Sequence, residues 1–345
     1  MPETIDLHTL LDRAPRVPVV DVRSPGEFAQ GHLQGAVNVP LFSDAERSEI
    51  GTTYVREGRQ PAIVLGLARV GPRLAELGAQ LTTLAGAAGE LSIHCWRGGM
   101  RSASVAWLAE TLGCRVGILA GGYKTFRRWV IESTGRGREV HVVAGLTGSG
   151  KTRVLQALAA RGENVMDLEQ LAHHKGSAFG DLGEALAPTQ EQFENDLALA
   201  WRHTRPEAPV WVEDESRSIG RCLIPEPLWL AKQAGRFHVL ELPEEVRLSH
   251  LNDIYGGHPA EVLTARIEAI RKRLGGDRAA AAIAAVQAGE LKEACRLVLA
   301  YYDRSYQRLL EQVPPERLTA FSFDQLDPDV IADALCREAP VRHPS

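Results

Sequence analysis

Apolar and polar positions follow two rhythms along the chain. Short runs rich in β-branched residues predict strands over 17–22, 91–94 and 116–119, because such runs suit a buried pleat. Between the last two, apolar residues recur at Val105, Leu108, Ala109 and Leu112. That spacing predicts a helix over 102–112. Residues 133–138 carry no periodicity and predict a domain edge. The rhythm then restarts, with strands expected over 140–144, 165–168, 210–212 and 237–240. From Pro259 to about Leu310 the pattern is helical, broken at Gly275-Gly276 and Gly289, and 327–337 predicts a last helix. Strands alternating with helices imply mainly parallel sheets. Two α/β domains are expected, over 1–134 and 138–345.

The first chemical constellation sits between a predicted strand and a predicted helix: His94-Cys95-Trp96-Arg97-Gly98-Gly99-Met100-Arg101-Ser102. Two glycines let the backbone curl so that successive N–H groups point inward. The helix start adds its positive end, and Arg97 and Arg101 add formal charge. A cysteine in that field is expected to be partly thiolate. Cys95 is therefore the candidate nucleophile, with Arg97 and Arg101 holding an oxyanion beside it. A buried cysteine at a strand end is the plain alternative. It explains Cys114, Cys222, Cys295 and Cys336, which lack such surroundings. An odd, widely spaced set of five without C-x-x-C argues against a disulfide framework.

Upstream, Asp21-Val22-Arg23-Ser24-Pro25-Gly26-Glu27-Phe28 and Gly31-His32-Leu33-Gln34-Gly35-Ala36-Val37-Asn38-Val39-Pro40 resemble the rhodanese family, as does Gly121-Gly122-Tyr123. The resemblance covers roughly residues 5–132. It implies that the cysteine carries sulfur as a persulfide and that Asp21 and Arg23 tie the strand end to the loop. The closing arginine departs from the family. Arg101 is the sixth residue after Cys95, and this C-x5-R spacing resembles rhodanese-fold phosphatases, whose wider loop admits phosphate.

The second constellation, Gly145-Leu146-Thr147-Gly148-Ser149-Gly150-Lys151-Thr152, matches G-x-x-x-x-G-K-[ST] after a predicted strand and before a predicted helix. Gly145, Gly148, Ser149, Gly150 and Lys151 would cradle a di- or triphosphate, and the Thr152 hydroxyl would bind Mg²⁺. Asp214, in the acidic end of Val210-Trp211-Val212-Glu213-Asp214-Glu215, is a candidate for placing Mg²⁺ or water. A solvated acidic loop explains it as well. Asp167 is a second candidate or a helix cap. His173-His174-Lys175 reads as an anion contact or a polar loop. The fold expected is α/β: an N-terminal rhodanese-like domain with a parallel sheet, then a P-loop NTPase-like α/β domain with a helical C-terminal part.

Composition changes little except for partners. The chain has 345 residues, 44% hydrophobic and 24% charged, with a net charge of −5. The longest apolar run, 279–286, is eight residues, far short of the roughly 18 of a spanning helix. No membrane association is expected, and the cytoplasm is the expected compartment. The acidic total disfavours indiscriminate nucleic-acid binding. Local basic clusters, Arg127-Arg128 with Arg136 and Arg138, and Arg266 with Arg271, Lys272, Arg273 and Arg278, suit a folded RNA or a solvated helix face.

The fused pair of motifs, together with Trp211-Val212-Glu213-Asp214-Glu215-Ser216-Arg217-Ser218-Ile219-Gly220, closely resembles the bacterial tRNA 2-selenouridine synthases over nearly the whole chain. That resemblance implies a selenotransferase acting on tRNA with wobble 2-thiouridine. Geranyl diphosphate first alkylates the sulfur, and selenium from selenophosphate then replaces the S-geranyl group through a cysteine-bound selenium intermediate. Selenophosphate and geranyl diphosphate are the implied co-substrates, Mg²⁺ the expected metal and a monomer the expected state. Competing readings are a rhodanese-type sulfurtransferase or phosphatase fused to an ATP-dependent kinase-like domain, a thiouridylase-like enzyme, and a non-catalytic tRNA binder. The PP-loop pattern S-G-G-x-D-S of thiouridylases is missing.

Overall fold

The computed structural model describes residues 2–338. The chain divides into two compact units, residues 1–132 with 194–196, and 133–193 with 197 onward.

The first unit begins with β1 (Glu3–Ile5), α1 (Leu7–Arg13), β2 (Val19–Asp21), α2 (Pro25–Gln30) and β3 (Val37–Asn38). Three consecutive helices follow, α3 (Asp44–Glu57), α4 (Arg59–Val70) and α5 (Leu74–Ala85). The unit closes with β4 (Glu90–His94), α6 (Met100–Thr111), β5 (Arg115–Leu119) and α7 (Tyr123–Ser133). The sheet is parallel throughout, in the order β1-β5-β4-β2-β3. Val20, Ile93 and Ala106 pack at its centre, fully buried. Helix starts follow local chemistry. Ser24 and Ser43 each form a capping box with the glutamate three residues on, Glu27 and Glu46. Helix α3 leaves little trace in the apolar pattern. None of its residues is buried, so no apolar stripe marks it.

A buried ion pair at the end of β2 ties it to the C-terminal end of α2. The Arg23 guanidinium donates to Asp21 at 2.7 and 2.9 Å and to the Gly31 carbonyl at 2.7 Å. It lies 3.7 Å from the Tyr123 ring centre, and both charged residues are almost fully buried. Removing one partner strands a buried charge, which costs about 3–5 kcal/mol. Arg23→Ala is therefore expected to lower the unfolding transition of this unit by that amount in denaturant titration of the full chain. A loss within about 0.5 kcal/mol, as for an ordinary surface change, would refute the tie.

The second unit runs β6 (Val140–Gly145), α8 (Lys151–Ala160), β7 (Asn164–Met166), α9 (Leu168–Ala172), α10 (Gln190–His203) and β8 (Val210–Glu213). A small antiparallel pair, β9 (Ser218–Ile219) and β10 (Cys222–Leu223), precedes α11 (Glu226–Ala234) and β11 (Arg236–Glu241). A helical block follows: α12 (Glu244–Tyr255), α13 (Ala260–Ala269), α14 (Arg271–Leu274), α15 (Gly276–Gln287) and α16 (Leu291–Leu310). Strand β12 (Leu318–Ser322) and α17 (Pro328–Glu338) complete it. The main sheet is again parallel, in the order β12-β11-β6-β8-β7. The central strand β6 therefore delivers its C-terminal end between two neighbours, where ligands bind in such sheets. The helical block breaks at Gly275 and Gly289, both with positive φ, as the sequence pattern predicts. The strand expected over 165–168 is shorter, because Asp167 turns the chain and caps α9 with its carboxylate on the Gln170 N–H at 2.8 Å.

Candidate functional sites

Cys95 follows β4 directly and stands before α6 in the first unit. Its thiol is 3% exposed and lies 3.3 Å from the Ser102 hydroxyl. Burial by itself would raise the thiol. The Ser102 hydroxyl and the N–H groups of Arg97, Ser102 and Gly99 outweigh it and hold the group below its usual value. The loop is locked from behind. Gly98 and Gly122 both have positive φ, and a Cβ on Gly122 would fall 2.3 Å from the Cys95 carbonyl oxygen. The Tyr123 N–H donates to that same carbonyl at 2.9 Å. Thus Gly121-Gly122-Tyr123 and the cysteine loop are one structure.

The two arginines differ. Arg101 is mostly buried and donates to Glu27 at 2.7 Å, so its guanidinium is already held at the rim. Arg97 is exposed and free to swing. A groove beside Arg101 is lined by Arg47, Arg56, Ile50 and Tyr54 from α3. Helix α3 thus supplies one wall of the groove beside Arg101.

In the second unit the loop from Gly145 to Gly150 carries the chain from β6 into α8. Gly148 has φ +83°, and a Cβ there would meet the Arg247 carbonyl oxygen and Leu251 at 3.0 Å. Arg247 donates to the Thr147 carbonyl at 3.0 Å and pairs with Asp303 at 2.9 Å. So α12 and α16 brace the loop from outside. Lys151 reaches back to the Gly145 carbonyl at 3.1 Å. The Thr152 hydroxyl donates to Glu169 at 2.9 Å. Ser149 Oγ is buried with no hydrogen-bond partner. Gly145, Thr147, Lys151, Thr152 and Glu169 line a cleft of about 730 Å³ with Asp214, Glu215 and Arg153, and Ser149 lies buried behind the loop.

Asp214 does not stand free for a metal. Lys232 donates to it at 2.6 Å, and the Tyr306 hydroxyl donates at 2.7 Å. That hydroxyl accepts in turn from the Gly145 N–H at 2.9 Å. Asp214 therefore anchors the loop start through Tyr306. Glu169, Lys232, Arg247 and Tyr306 are site residues that the motifs do not reveal. Glu169 alone has a nearby hint, two positions after Asp167. His173 and Lys175 have local roles: His173 Nδ1 lies 2.8 Å from the Leu186 carbonyl, and Lys175 pairs with Glu184 at 2.9 Å. In the basic segment Arg266 pairs with Asp181 and Arg271 with Glu268, leaving Lys272 and Arg273 exposed.

Acid groups crowd this cleft. Burial, with Asp167 and Glu169 adding repulsion, pushes the Glu213 carboxyl well up. Burial, then Glu169 and Asp214, pushes Glu215 up to about 8 against 4.5 normally. Below 4.5 both folded and unfolded chains hold the Glu215 proton. As pH rises toward 8 the unfolded carboxyl ionises while the folded one keeps its proton, so stability falls across that window. Glu215→Gln is expected to flatten this fall in denaturant melts taken from pH 4.5 to 8. Parallel stability curves for the two proteins would contradict the buried assignment.

Among the described residues no three His, Cys, Asp or Glu side chains converge on one metal position, and no helix is long and apolar enough to cross a membrane. A Mg²⁺ held mainly by phosphate oxygens and water needs only one or two protein ligands. Thr152 beside Glu169 fits that donor set, and Glu213 Oε2 is buried nearby without a partner.

Residues 138–325 match the family described as tRNA 2-selenouridine synthase AAA domain, and residues 4–128 match the rhodanese-like domain. A tRNA 2-selenouridine synthase of Hydrogenovibrio crunogenus is 36% identical over 293 residues, 76% of this chain and 77% of that one. One from Shewanella sediminis is 37% identical over 286 residues, 75% of each chain. Another from Shewanella woodyi is 36% identical over 332 residues, 86% of this chain and 88% of that one.

Proposed function

The chain belongs to the tRNA 2-selenouridine synthase family, and from that premise we propose that its two units divide the work. The unit around Lys151 would alkylate the sulfur of wobble 2-thiouridine with geranyl diphosphate. The unit around Cys95 would then supply selenium from selenophosphate. The observation that carries this reading is one chain holding two anion cradles, one with a thiol at its centre and one without.

In the first step the thiocarbonyl sulfur forms a bond to C1 of the geranyl group as the C1–O bond breaks. Diphosphate leaves with that electron pair, and N3 of the uracil loses its proton. The loop N–H groups, Ser149 and Lys151 would stabilise the charge that develops on the leaving group. Thr152 and Glu169 would hold a Mg²⁺, which would further neutralise the diphosphate. Asp214, held by Lys232, acts through Tyr306 on the start of the loop.

S-alkylation turns a poor leaving group into a thiolate that can depart from C2. In the second step the Cys95 thiolate attacks selenium, and phosphorus leaves with the P–Se electron pair as phosphite. The bound selenium then attacks C2 and expels geranyl thiolate. One external thiol attacks the Cys95 sulfur and releases the 2-selenouridine, and a second thiol reduces the resulting mixed disulfide, restoring Cys95 and leaving with the first as a disulfide. The C-x5-R width of the loop favours a second route. Cys95 attacks phosphorus, and selenide is released beside the base. Mass spectrometry of trapped protein separates the two, because selenium on Cys95 carries its own isotope pattern and a phosphoryl group does not.

The test of the whole reading is nucleoside mass spectrometry of 2-thiouridine tRNA incubated with the chain. Geranyl diphosphate alone should give S-geranyl-2-thiouridine, selenophosphate alone should leave the thiouridine unchanged, and both together should give 2-selenouridine. Selenation without the prenyl donor would overturn the order of steps.

A further inference from the structure

The phosphate cleft has an apolar annex. A separate cavity inside the helical block is walled by Leu251 and Tyr255 of α12, Leu263 of α13, Val286 of α15, and Ala294 and Val298 of α16. Its lining also includes Thr147 of the phosphate loop itself. Thr147, Ser177, Leu251, Tyr255 and Tyr302 line both this cavity and the phosphate cleft. The two spaces therefore meet at the loop. The titratable groups facing the cavity are uncharged at neutral pH. Burial raises Cys295 to about 11 and Tyr255 to about 12, and Tyr302 is raised as well, also by burial.

Such a wall offers a purine ring almost no hydrogen-bonding edge, so a nucleotide base is a poor occupant. A hydrocarbon chain attached to the diphosphate is a good one. The size decides how much of it enters. The cavity volume is about 50 Å³. By the same measure a water needs roughly 10–15 Å³, so there is room for about four water- or methyl-sized groups. That is just enough for most of one branched five-carbon isoprene unit and too little for two.

We propose that this cavity, reached from the phosphate loop past Thr147 and Tyr255, is the pocket for the terminal isoprene unit of an allylic diphosphate, and that Ala294 and Leu263 set the chain length accepted. The inference rests on the prenyl-transfer reading above and adds where the chain lies and what limits it. The first isoprene unit would lie along the shared strip, the second would fill the cavity, and a third would have no space.

Equilibrium binding to the full chain tests this with four probes: inorganic pyrophosphate, dimethylallyl diphosphate, geranyl diphosphate and farnesyl diphosphate. Geranyl diphosphate should bind tenfold to about a hundredfold tighter than dimethylallyl diphosphate, the effect of burying one branched aliphatic group. Ala294→Phe fills the cavity and should erase that advantage while leaving pyrophosphate and dimethylallyl diphosphate binding unchanged. Leu263→Ala should open space and bring farnesyl diphosphate to at least tenfold tighter binding than in the original chain. If the original chain binds geranyl diphosphate no tighter than pyrophosphate, the prenyl reading itself falls and the pocket with it. If geranyl preference is present but survives in folded Ala294→Phe, the reading stands and the pocket is wrong. Should Ala294→Phe fail to fold, Leu263→Ala decides, and unchanged farnesyl affinity there overturns the proposal.

Discussion

Replacing Cys95 by alanine is expected to leave tRNA that carries S-geranyl-2-thiouridine and no selenium. The thiol is the candidate nucleophile of the loop, and its neighbours are arranged for the thiolate. Ser102 stands 3.3 Å away, and N–H groups of Arg97, Ser102 and Gly99 offset the cost of its burial. Loss of a covalent nucleophile removes the step outright, so the fall in selenation should be at least about a thousandfold. Alanine fits the site without a clash, because the change only removes sulfur from a well-packed strand end. Geranylation should proceed at its original rate. Nucleoside mass spectrometry with both donors present reads both products at once. Undiminished 2-selenouridine from Cys95→Ala would remove Cys95 as the carrier.

Lys151→Ala should give the mirror image. Its ammonium hydrogen-bonds the Gly145 carbonyl at 3.1 Å and lies in the cleft with Thr152 and Glu169. A diphosphate bound there would draw the ammonium onto its oxygens, and the charge on those oxygens grows as the C1–O bond breaks. Losing one such donor typically costs about a hundredfold to a thousandfold in rate. Geranylation of 2-thiouridine tRNA should fall by that factor. Selenation of tRNA that already carries the S-geranyl group should not change, because that step needs only the Cys95 unit. If Lys151→Ala geranylates normally, the phosphate loop does not hold the leaving group. If it also fails to selenate pre-alkylated tRNA, the two activities are not separable in this way.

The paired outcome matters because the motifs were legible for a simple reason. Each is a contiguous run whose job is done by its own backbone. The glycines of Cys95 to Ser102 and of Gly145 to Thr152 report their φ requirements directly, and the strand before and the helix after each run are set by local periodicity. The helical block from 259 to 310 was legible for the same reason. Its apolar spacing repeats every helical turn, and two of its breaks fall at glycines with positive φ, Gly275 and Gly289, while the break at Ile270 carries no such mark. Helix α3 was not, because a mostly polar helix with no buried residue has no period to read; α4 and α5 escaped although they bury residues at helical spacing. The short strands β1 and β12 escaped too. A three- or five-residue edge takes its conformation from the neighbour it pairs with.

The sequence by itself determined the two α/β units, the candidate cysteine loop and the phosphate loop, since these depend on residues adjacent in the chain. Only the tertiary structure decided what surrounds them. Arg101 is committed to Glu27, 74 positions away. Asp214 is taken by Lys232 and by Tyr306, 92 positions away. Thr152 is matched to Glu169. Parallel sheets gather strand ends and distant helices at one edge, and nothing in a linear pattern fixes which side chains meet there. The apolar cavity makes the same point from the other side. Periodicity states which face of a helix is buried, but whether the faces of α12, α13, α15 and α16 close completely or leave space beside Thr147 depends on how their side chains interlock.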